Sequence, residues 1–268
     1  MTGAGPKVAL VTGAARGLGL AMAAGLAEAG CAVVACDIDG DEPGLLRRSR
    51  ELAGAGRHLH PIACDVTDPA ACRAAFDEAV QRFGAVDILV NNAAIGMERI
   101  TPYIHANPFR FYEIEEEFWR RVLDVNVMGM FRMSKLAAPA MVARGWGRII
   151  NVTTGLGTMQ KAGFAPYGPS KAAIEAATGA WSKELAGTGV TANVLIPGGP
   201  ADTRMIPPED MADRARLVQP ERMVPPLRWL VSADADPVTG RRYQARLWPP
   251  DRPAAEAARL AGADIAWA

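Results

Sequence analysis

Tyr167 and Lys171 stand four residues apart in the run Tyr167-Gly168-Pro169-Ser170-Lys171, and Thr154 lies thirteen residues before the tyrosine. A phenol titrates near pH 10 and is a poor base at neutral pH, but a neighbouring ammonium favours the phenolate. Brought together, the two side chains could trade a proton with a bound alcohol while the Thr154 hydroxyl holds the reacting oxygen against the phenol. The same spacing fits a surface tyrosine beside a solvated lysine, so the chemistry depends on what the rest of the chain builds around the pair. Two elements must position it. Thr153 and Thr154 close the apolar run Arg148-Ile149-Ile150-Asn151-Val152, a strand pattern. Ala172, Ala173, Ile174, Ala176, Ala177 and Ala180 have helical spacing, which predicts a helix opened by Ser170, with Tyr167 on its approach and Lys171 in its first turn.

A second constellation lies near the start of the chain. Lys7 to Val11 is a short apolar run, Thr12-Gly13-Ala14-Ala15-Arg16-Gly17-Leu18-Gly19 follows, and an alanine-rich helical stretch continues to Gly30. Strand, glycine loop and helix in that order make a phosphate cradle. The glycines let backbone approach a pyrophosphate, and the helix N-terminus offers unpaired N–H groups with a partial positive charge. The next strand, Cys31 to Cys36, ends on Asp37, about 20 residues past the loop. An acid there accepts hydrogen bonds from a ribose diol and repels a 2′-phosphate, which favours NAD over NADP. Arg16 inside the loop could reach that phosphate and favours NADP; a turn or cap role is the structural alternative for Asp37.

His60 to Cys64 reads as a third strand and runs into Asp65-Val66-Thr67-Asp68. Pro69 to Phe83 is an amphipathic helix capped around Asp68. Val86 to Val90 is a fourth strand with the amide-rich end Asn91-Asn92-Ala93-Ala94, and Thr191 to Ile196 a further one ending at Pro197-Gly198. Strands alternating with helices predict an α/β fold, a doubly wound parallel sheet covered on both faces, in a single domain.

On these residues the chain resembles the short-chain dehydrogenase/reductase family over roughly residues 7 to 245. The matching motifs are the Thr-Gly-x-x-x-Gly-x-Gly loop at Thr12 to Gly19, Asp65-Val66, the Asn-Asn-Ala run from Asn91, Asn126 within Asp124-Val125-Asn126-Val127, Tyr167 with Lys171, and Pro197-Gly198. The resemblance implies a Rossmann-type oxidoreductase. It implies catalytic roles for Asn126, Thr154, Tyr167 and Lys171, with Asn126 holding a water that passes protons to Lys171. Asp65 and Val66 would touch the adenine, Asn92 and Ala93 would line the cofactor channel, and Thr203 after Pro197 would bond the nicotinamide carboxamide. Lys171 would also bind the ribose, and Gly13, Arg16, Gly17, Leu18, Gly19 and Asp37 complete the expected cofactor set. The family is commonly tetrameric, so a homo-oligomer, tetramer or dimer, is expected.

Three departures from the family pattern stand out. Thr154 replaces the usual serine, keeping the oxygen with a stiffer side chain, and Ala94 replaces a glycine. An insertion separates Asn92 from Asn126 through Met97 to Glu117 and carries Tyr103, His105, Phe109, Phe111 and Tyr112. These aromatics either form a lip over a ring-bearing substrate or pack under the loop or against a neighbouring subunit. His105 is a candidate second acid/base or a structural histidine. Glu116 to Ala143 reads as one long helix with Asn126 at its middle. Residues 201–226, rich in proline, charge and methionine, are expected to form a mobile lid, with Met205, Ile206 and Met211 as candidate substrate contacts. Leu227 to Ala233 reads as a short helix and Arg241 to Leu247 as the last strand. The domain is expected over 1–247, with substrate loops at 97–117 and 198–226. Residues 248–268 form a C-terminal extension, whose Ala254 to Ala261 is helical and whose Trp267 should dock on a partner subunit or over the site.

Composition removes other classes. The 268 residues are 50% hydrophobic with a formal net charge of zero and no basic block, so no nucleic-acid or membrane attraction is expected. Cys31, Cys36, Cys64 and Cys72 match no metal pattern, and with His58, His60 and His105 they make no ligand cluster; buried free thiols and no metal are expected. No charged leader or membrane-length apolar run is present, which points to a cytoplasmic location. The expected activity is NAD-dependent hydride transfer with a small-molecule secondary alcohol or ketone, cyclic or aromatic. The alternatives are an NADPH-dependent carbonyl reductase and a non-catalytic dinucleotide-binding scaffold on the same fold.

Overall fold

Val8–Thr12 (β1) is buried along its whole length, as a strand covered on both faces must be. Its side chains divide by the period of two: Ala9 and Val11 enter one core, Leu10 the other. The computed structural model describes residues 5–40, 42–101, 103, 108–211 and 213–265.

From β1 the chain passes through Gly17–Glu28 (α1), Ala32–Asp37 (β2), Pro43–Gly54 (α2) and His58–Ala63 (β3). After Pro69–Phe83 (α3) it crosses β1 and enters Ile88–Asn91 (β4). Glu116–Leu123 (α4) and Gly129–Arg144 (α5) lead to Gly147–Val152 (β5); Leu156–Met159 (α6) and Tyr167–Glu184 (α7) lead to Val190–Ile196 (β6). Val224–Leu230 (α8), Arg241–Gln244 (β7), Ala254–Ala261 (α9) and Gly262–Asp264 (β8) complete the order. Among the described residues the strands form one sheet, β3-β2-β1-β4-β5-β6-β7-β8, parallel except for β8, which runs antiparallel to β7. The doubly wound architecture is as expected. The strand order reverses at β1 and β4, and a crevice opens beyond their carboxyl ends. One core packs α1, α8 and α9 on the sheet, with Met22, Leu26, Leu227 and Ala258 inside; the other packs α3 and α5 through Phe76, Met133 and Met141.

Several boundaries follow the sequence closely. Helix α3 begins at Pro69 because the Asp68 carboxylate accepts the Ala70 N–H at 2.8 Å, and it ends where Gly84 takes a left-handed conformation. Cys36, Cys64 and Cys72 are buried free thiols, and Cys31 is half-buried.

Other expectations are corrected. Helix α7 opens at Tyr167, not Ser170: the Ser170 hydroxyl turns back to donate to the Tyr167 carbonyl at 2.7 Å and caps nothing. Pro169 fits this first turn, where no N–H partner is needed. The long helix around Asn126 is interrupted by a wider π turn over Asp124–Met128. Helix α8 starts at Val224, three residues earlier than expected, and β7 stops at Gln244, with a single turn over Ala245–Leu247.

The segment after Leu247 packs into the sheet. Helix α9 forms at Ala254–Ala261, Trp248, Ala257 and Ala261 join the larger core, and Ile265 is buried with Val194 and Ile196. Strand β8 covers what would otherwise be the free edge of β7. Trp267 and His105 lie outside the described residues. This packing predicts that Ile265→Ala lowers stability by about 2–4 kcal/mol, read as a fall in the thermal melting midpoint. A change within about 0.5 kcal/mol, the scatter of surface substitutions, would mean the terminus is not part of the core.

Candidate active site

The crevice above β1, β4, β5 and β6 is a cavity of about 1480 Å³. All the expected cofactor residues line it: the glycine loop with Arg16 and Leu18, Asp37, Asp65, Val66, Asn92, Ala93, Tyr167, Lys171, Pro197 and Thr203. Thr154 lines it as well, whereas Asn126 is fully buried behind the wall.

The phosphate cradle is stitched to the end of β4. The Thr12 hydroxyl accepts the N–H groups of Asn92 and Ala93, both at 3.1 Å, and the Asn92 carboxamide donates to the carbonyls of Thr12 at 3.0 Å and Gly13 at 2.9 Å. Gly13 has φ +65°, and a Cβ there would lie 2.8 Å from the Ala93 Cα. At Gly19 a Cβ would run into the Gly13 carbonyl. Neither position tolerates a side chain, so the loop presents bare backbone beside the α1 N-terminus, which suits a dinucleotide pyrophosphate. At the rim, Asp37 accepts the Ala15 N–H at 2.9 Å, and the Arg16 guanidinium pairs with Asp39 and, at 3.4 Å, with Glu42. Asp65 is braced by the Thr67 hydroxyl at 2.8 Å.

At the other end, the tyrosine helix docks on the close of β5. Thr154 and Tyr167 line the same part of the cavity, and the Thr154 hydroxyl acts on the titration of the phenol. Lys171 is buried, its Nζ donating to the Val152 carbonyl at 2.9 Å and lying 5.8 Å from the centroid of the Tyr167 ring. The Asn126 carboxamide donates to the Ile95 carbonyl at 3.0 Å and the Ser170 hydroxyl at 2.9 Å, and accepts the Ile95 N–H at 2.9 Å. The π turn thereby clamps the segment after β4 to α7.

The electrostatics depart from the simple expectation. Burial pushes the Tyr167 phenol up, the Glu98 carboxylate pushes it further, and the Thr154 hydroxyl acts the other way. Lys171 is not among the groups that lower it. Burial brings the Lys171 ammonium down to about 8. Glu98 is itself raised, chiefly by burial, and one of its oxygens is buried without a hydrogen-bond partner. No feature of the local sequence marks Glu98, because only the folded insertion brings it near Tyr167. Asp39 is also absent from the expected set, although it lies two residues past Asp37 and on the same cavity.

Of the two readings of the insertion aromatics, the lip is not what the described residues form. Phe111 and Tyr112 are 71% and 70% exposed, meet edge to face with centroids 5.3 Å apart, and, like Tyr103 and Phe109, contribute nothing to the lining. The apolar wall near Tyr167 comes instead from Met97 and Phe164, with Met205 and Ile206 contributed by the 198–226 loop. Met211 does not reach it. That loop is tied down at its base, where Arg214 donates to Asp202 at 2.8 Å and to the Thr203 carbonyl at 3.1 Å. Among the described residues no cluster of His, Cys, Asp and Glu is arranged to hold a metal, and no helix is long and apolar enough to cross a membrane.

The chain is similar to known proteins in sequence and in fold. A family model described as short chain dehydrogenase matches residues 7–212. The 3-oxoacyl-[acyl-carrier-protein] reductase FabG of Thermotoga maritima is 31% identical over 245 residues, covering 88% of this chain and 94% of its own. The cis-4-hydroxycyclohexanecarboxylate dehydrogenase of Sinomonas cyclohexanicum is 34% identical over 243 residues, covering 87% and 92%. Among solved structures, a gluconate 5-dehydrogenase from Burkholderia cenocepacia, in complex with NADP and tartrate, superposes with a TM-score of 0.76 at 31% identity, covering 89% of this chain and 92% of that one. With a nicotinamide-dinucleotide cradle at one end of the crevice and a tyrosine, a lysine and a hydroxyl at the other, the chain belongs to the short-chain dehydrogenase/reductase family of oxidoreductases.

Proposed function

We propose that this protein moves a hydride between NAD and the carbinol carbon of a secondary alcohol, or the corresponding ketone, on a small cyclic or aromatic molecule. The observation that carries the reading is the Tyr167 ring with the buried Lys171 Nζ 5.8 Å from its centroid, in the cavity that Thr154 and the glycine loop also line. In the oxidative direction Tyr167 takes the hydroxyl proton of the substrate while Thr154 holds its oxygen. The bound nicotinamide supplies the hydride acceptor and, when oxidised, a positive charge that favours the phenolate. Lys171 anchors the ribose and presents its ammonium below the phenol. The Asn126 carboxamide is committed to Ile95 and Ser170, so a relay toward Lys171 has to run through its main chain.

The preference for NAD rests on charge at the rim. Asp37 and Asp39 both line the cavity there, and the Arg16 guanidinium that could have met a 2′-phosphate is paired with Asp39 and Glu42. A ribose diol suits this carboxylate pair; a phosphate dianion does not. A cyclic alcohol fits the compact wall of Met97, Phe164, Met205 and Ile206, and a relative's name specifies a hydroxycyclohexane substrate. Met128, Phe131 and Val142, exposed along the α5 side, favour a homo-oligomer.

A panel of cyclic and aromatic secondary alcohols with NAD, followed by absorbance of the reduced coenzyme, tests the activity. Tyr167→Phe should remove turnover by about 10²-fold or more while coenzyme affinity stays within a few-fold; persistent turnover would displace the tyrosine from its role. Asp37→Ala should raise kcat/KM with NADP relative to NAD by about tenfold, and an unchanged ratio would remove the carboxylate from cofactor choice. Oxidation needs the phenolate, so the rate rises with pH through the titration of Tyr167. Glu98 raises that titration; hence E98Q should shift the rising limb to lower pH, and a limb that stays in place or moves up contradicts the assigned electrostatics.

A further inference from the structure

Behind Thr154 lies a pair of buried charges that the reaction above leaves unused. Glu175 of α7 is completely buried and Arg242 of β7 is 4% exposed. Arg242 Nη1 stands 3.2 Å from Glu175 Oε1. The second carboxylate oxygen and the second terminal nitrogen reach consecutive residues just past β5, while Arg242 Nε is buried without a partner. Glu175 Oε2 accepts the Thr153 hydroxyl at 3.1 Å, and Arg242 Nη2 donates to the Thr154 carbonyl at 3.2 Å.

An ion pair taken this far from water is weak evidence of a stabilising role, because desolvation offsets the attraction and apolar side chains of equal volume pack as well. Apolar substitutes, however, could not accept from the Thr153 hydroxyl and donate to the Thr154 carbonyl at once. A planar guanidinium holds its two donors in a fixed fork, so a carboxylate and a carbonyl bound to it are fixed relative to each other. The consequence falls on Thr154: with its carbonyl anchored from β7 and the preceding side chain anchored from α7, its hydroxyl is left facing the phenol. We propose that Glu175 and Arg242 are positioning residues that hold Thr154 against Tyr167.

This inference rests on the roles given above to Thr154 and Tyr167. The groups facing the phenol are Thr154 from the end of β5, Glu98 from the turn after β4, and Lys171 from α7 itself. Loosening Thr154 removes the influence that acts downward on the phenol and leaves the other two in place, so the rising limb of the pH–rate profile for oxidation moves to higher pH. A purely structural role would not move it.

The test is the double variant Glu175→Gln/Arg242→Met, which deletes the fork without leaving an unpaired buried charge, beside Arg242→Lys, which keeps the charge but not the fork. For the double variant kcat should fall about ten- to a hundredfold, with coenzyme Kd by fluorescence titration within about twofold and the pH limb displaced upward by about half a unit or more. Arg242→Lys should recover part of the loss in kcat. A double variant with native kcat and limb overturns the proposal, as does one that loses coenzyme affinity in step with kcat. Should the double variant lack a cooperative melting transition, the same two readouts on Arg242→Lys decide: a lowered kcat with a raised limb supports positioning, and native values exclude it. A wild-type protein inactive across the alcohol panel overturns the reading of the site itself, whereas an active wild type with unaltered variants overturns this inference alone.

Discussion

The docking of one face of α7 on the last residues of β5 is the constraint from which the site follows. Tyr167, Lys171 and Glu175 stand at intervals of four and so share a face of the helix. The first meets Thr154, the second the Val152 carbonyl, the third the Thr153 hydroxyl. One turn further, Thr178 accepts from Asn151 at 2.9 Å. Four successive residues of β5 and the loop beyond it are therefore read by one helical face. A sliding or rotation of α7 by one residue would break these contacts together, because the face repeats with the helical period while the strand end does not. The contacts of Lys171, Glu175 and Thr178 are polar and buried, where an unmade hydrogen bond is expensive and the correct register is correspondingly favoured.

The same economy of backbone appears at the cofactor end. Asn92 does not merely line a channel: its amide closes the glycine loop onto β4, as Asn126 closes the segment after β4 onto α7. Asn91, next to it, donates to Asn151 at 2.8 Å and to Ser134 at 3.0 Å. Amide side chains at the carboxyl ends of β4 and β5 thus occupy the seam between neighbouring elements, where both donors and acceptors go unpaired once a strand stops. An Asp in these places would lack the donor, and a Gln, one methylene longer, would carry its amide past the partners. The crevice is held at its floor for this reason, and Met97 and Glu98 of the insertion and Met205 and Ile206 of the 198–226 loop add to its wall.

What could be read from residue order was governed by short range. The glycine loop, the alternation of strands with helices, helix α3 with its Asp68 cap, and the Tyr167–Lys171 spacing are local patterns, and each has its place in the fold. Ser170 misled because a serine before an apolar helical run has the form of a cap; its hydroxyl instead follows the Tyr167 carbonyl, within the helix. The π turn at Asp124–Met128 inserts one extra residue per turn without any proline or glycine pair to announce it. The insertion aromatics stay open to two readings in the sequence for a different cause. Phe111 and Tyr112 find each other, and whether a ring on a loop faces a cavity or solvent depends on the path of the loop, which composition does not encode. Glu98, Glu175 and Arg242 lie in unremarkable local sequence and acquire meaning only from partners tens of residues distant.

The end of the chain belongs to the site more than its place in the sequence suggests. Arg242 reaches Thr154 from β7, and β7 has to be held in register to do so. On one side it pairs with β6 through Val194 and Leu195; on the other the tail returns as β8, placing Ala263 opposite Arg242. Tyr243 packs on Trp229 with ring centroids 5.4 Å apart, and Trp248 packs on the same indole at 6.0 Å. Without β8 the strand bearing Arg242 would be a four-residue sheet edge, the kind of element that frays first. A guanidinium on a frayed strand cannot hold a fork to a carboxylate and a carbonyl. The tail therefore acts on the chemistry through β7, by keeping the order of an arginine that in turn orders a threonine, and none of the residues from Trp248 onward needs to touch substrate for it to do so.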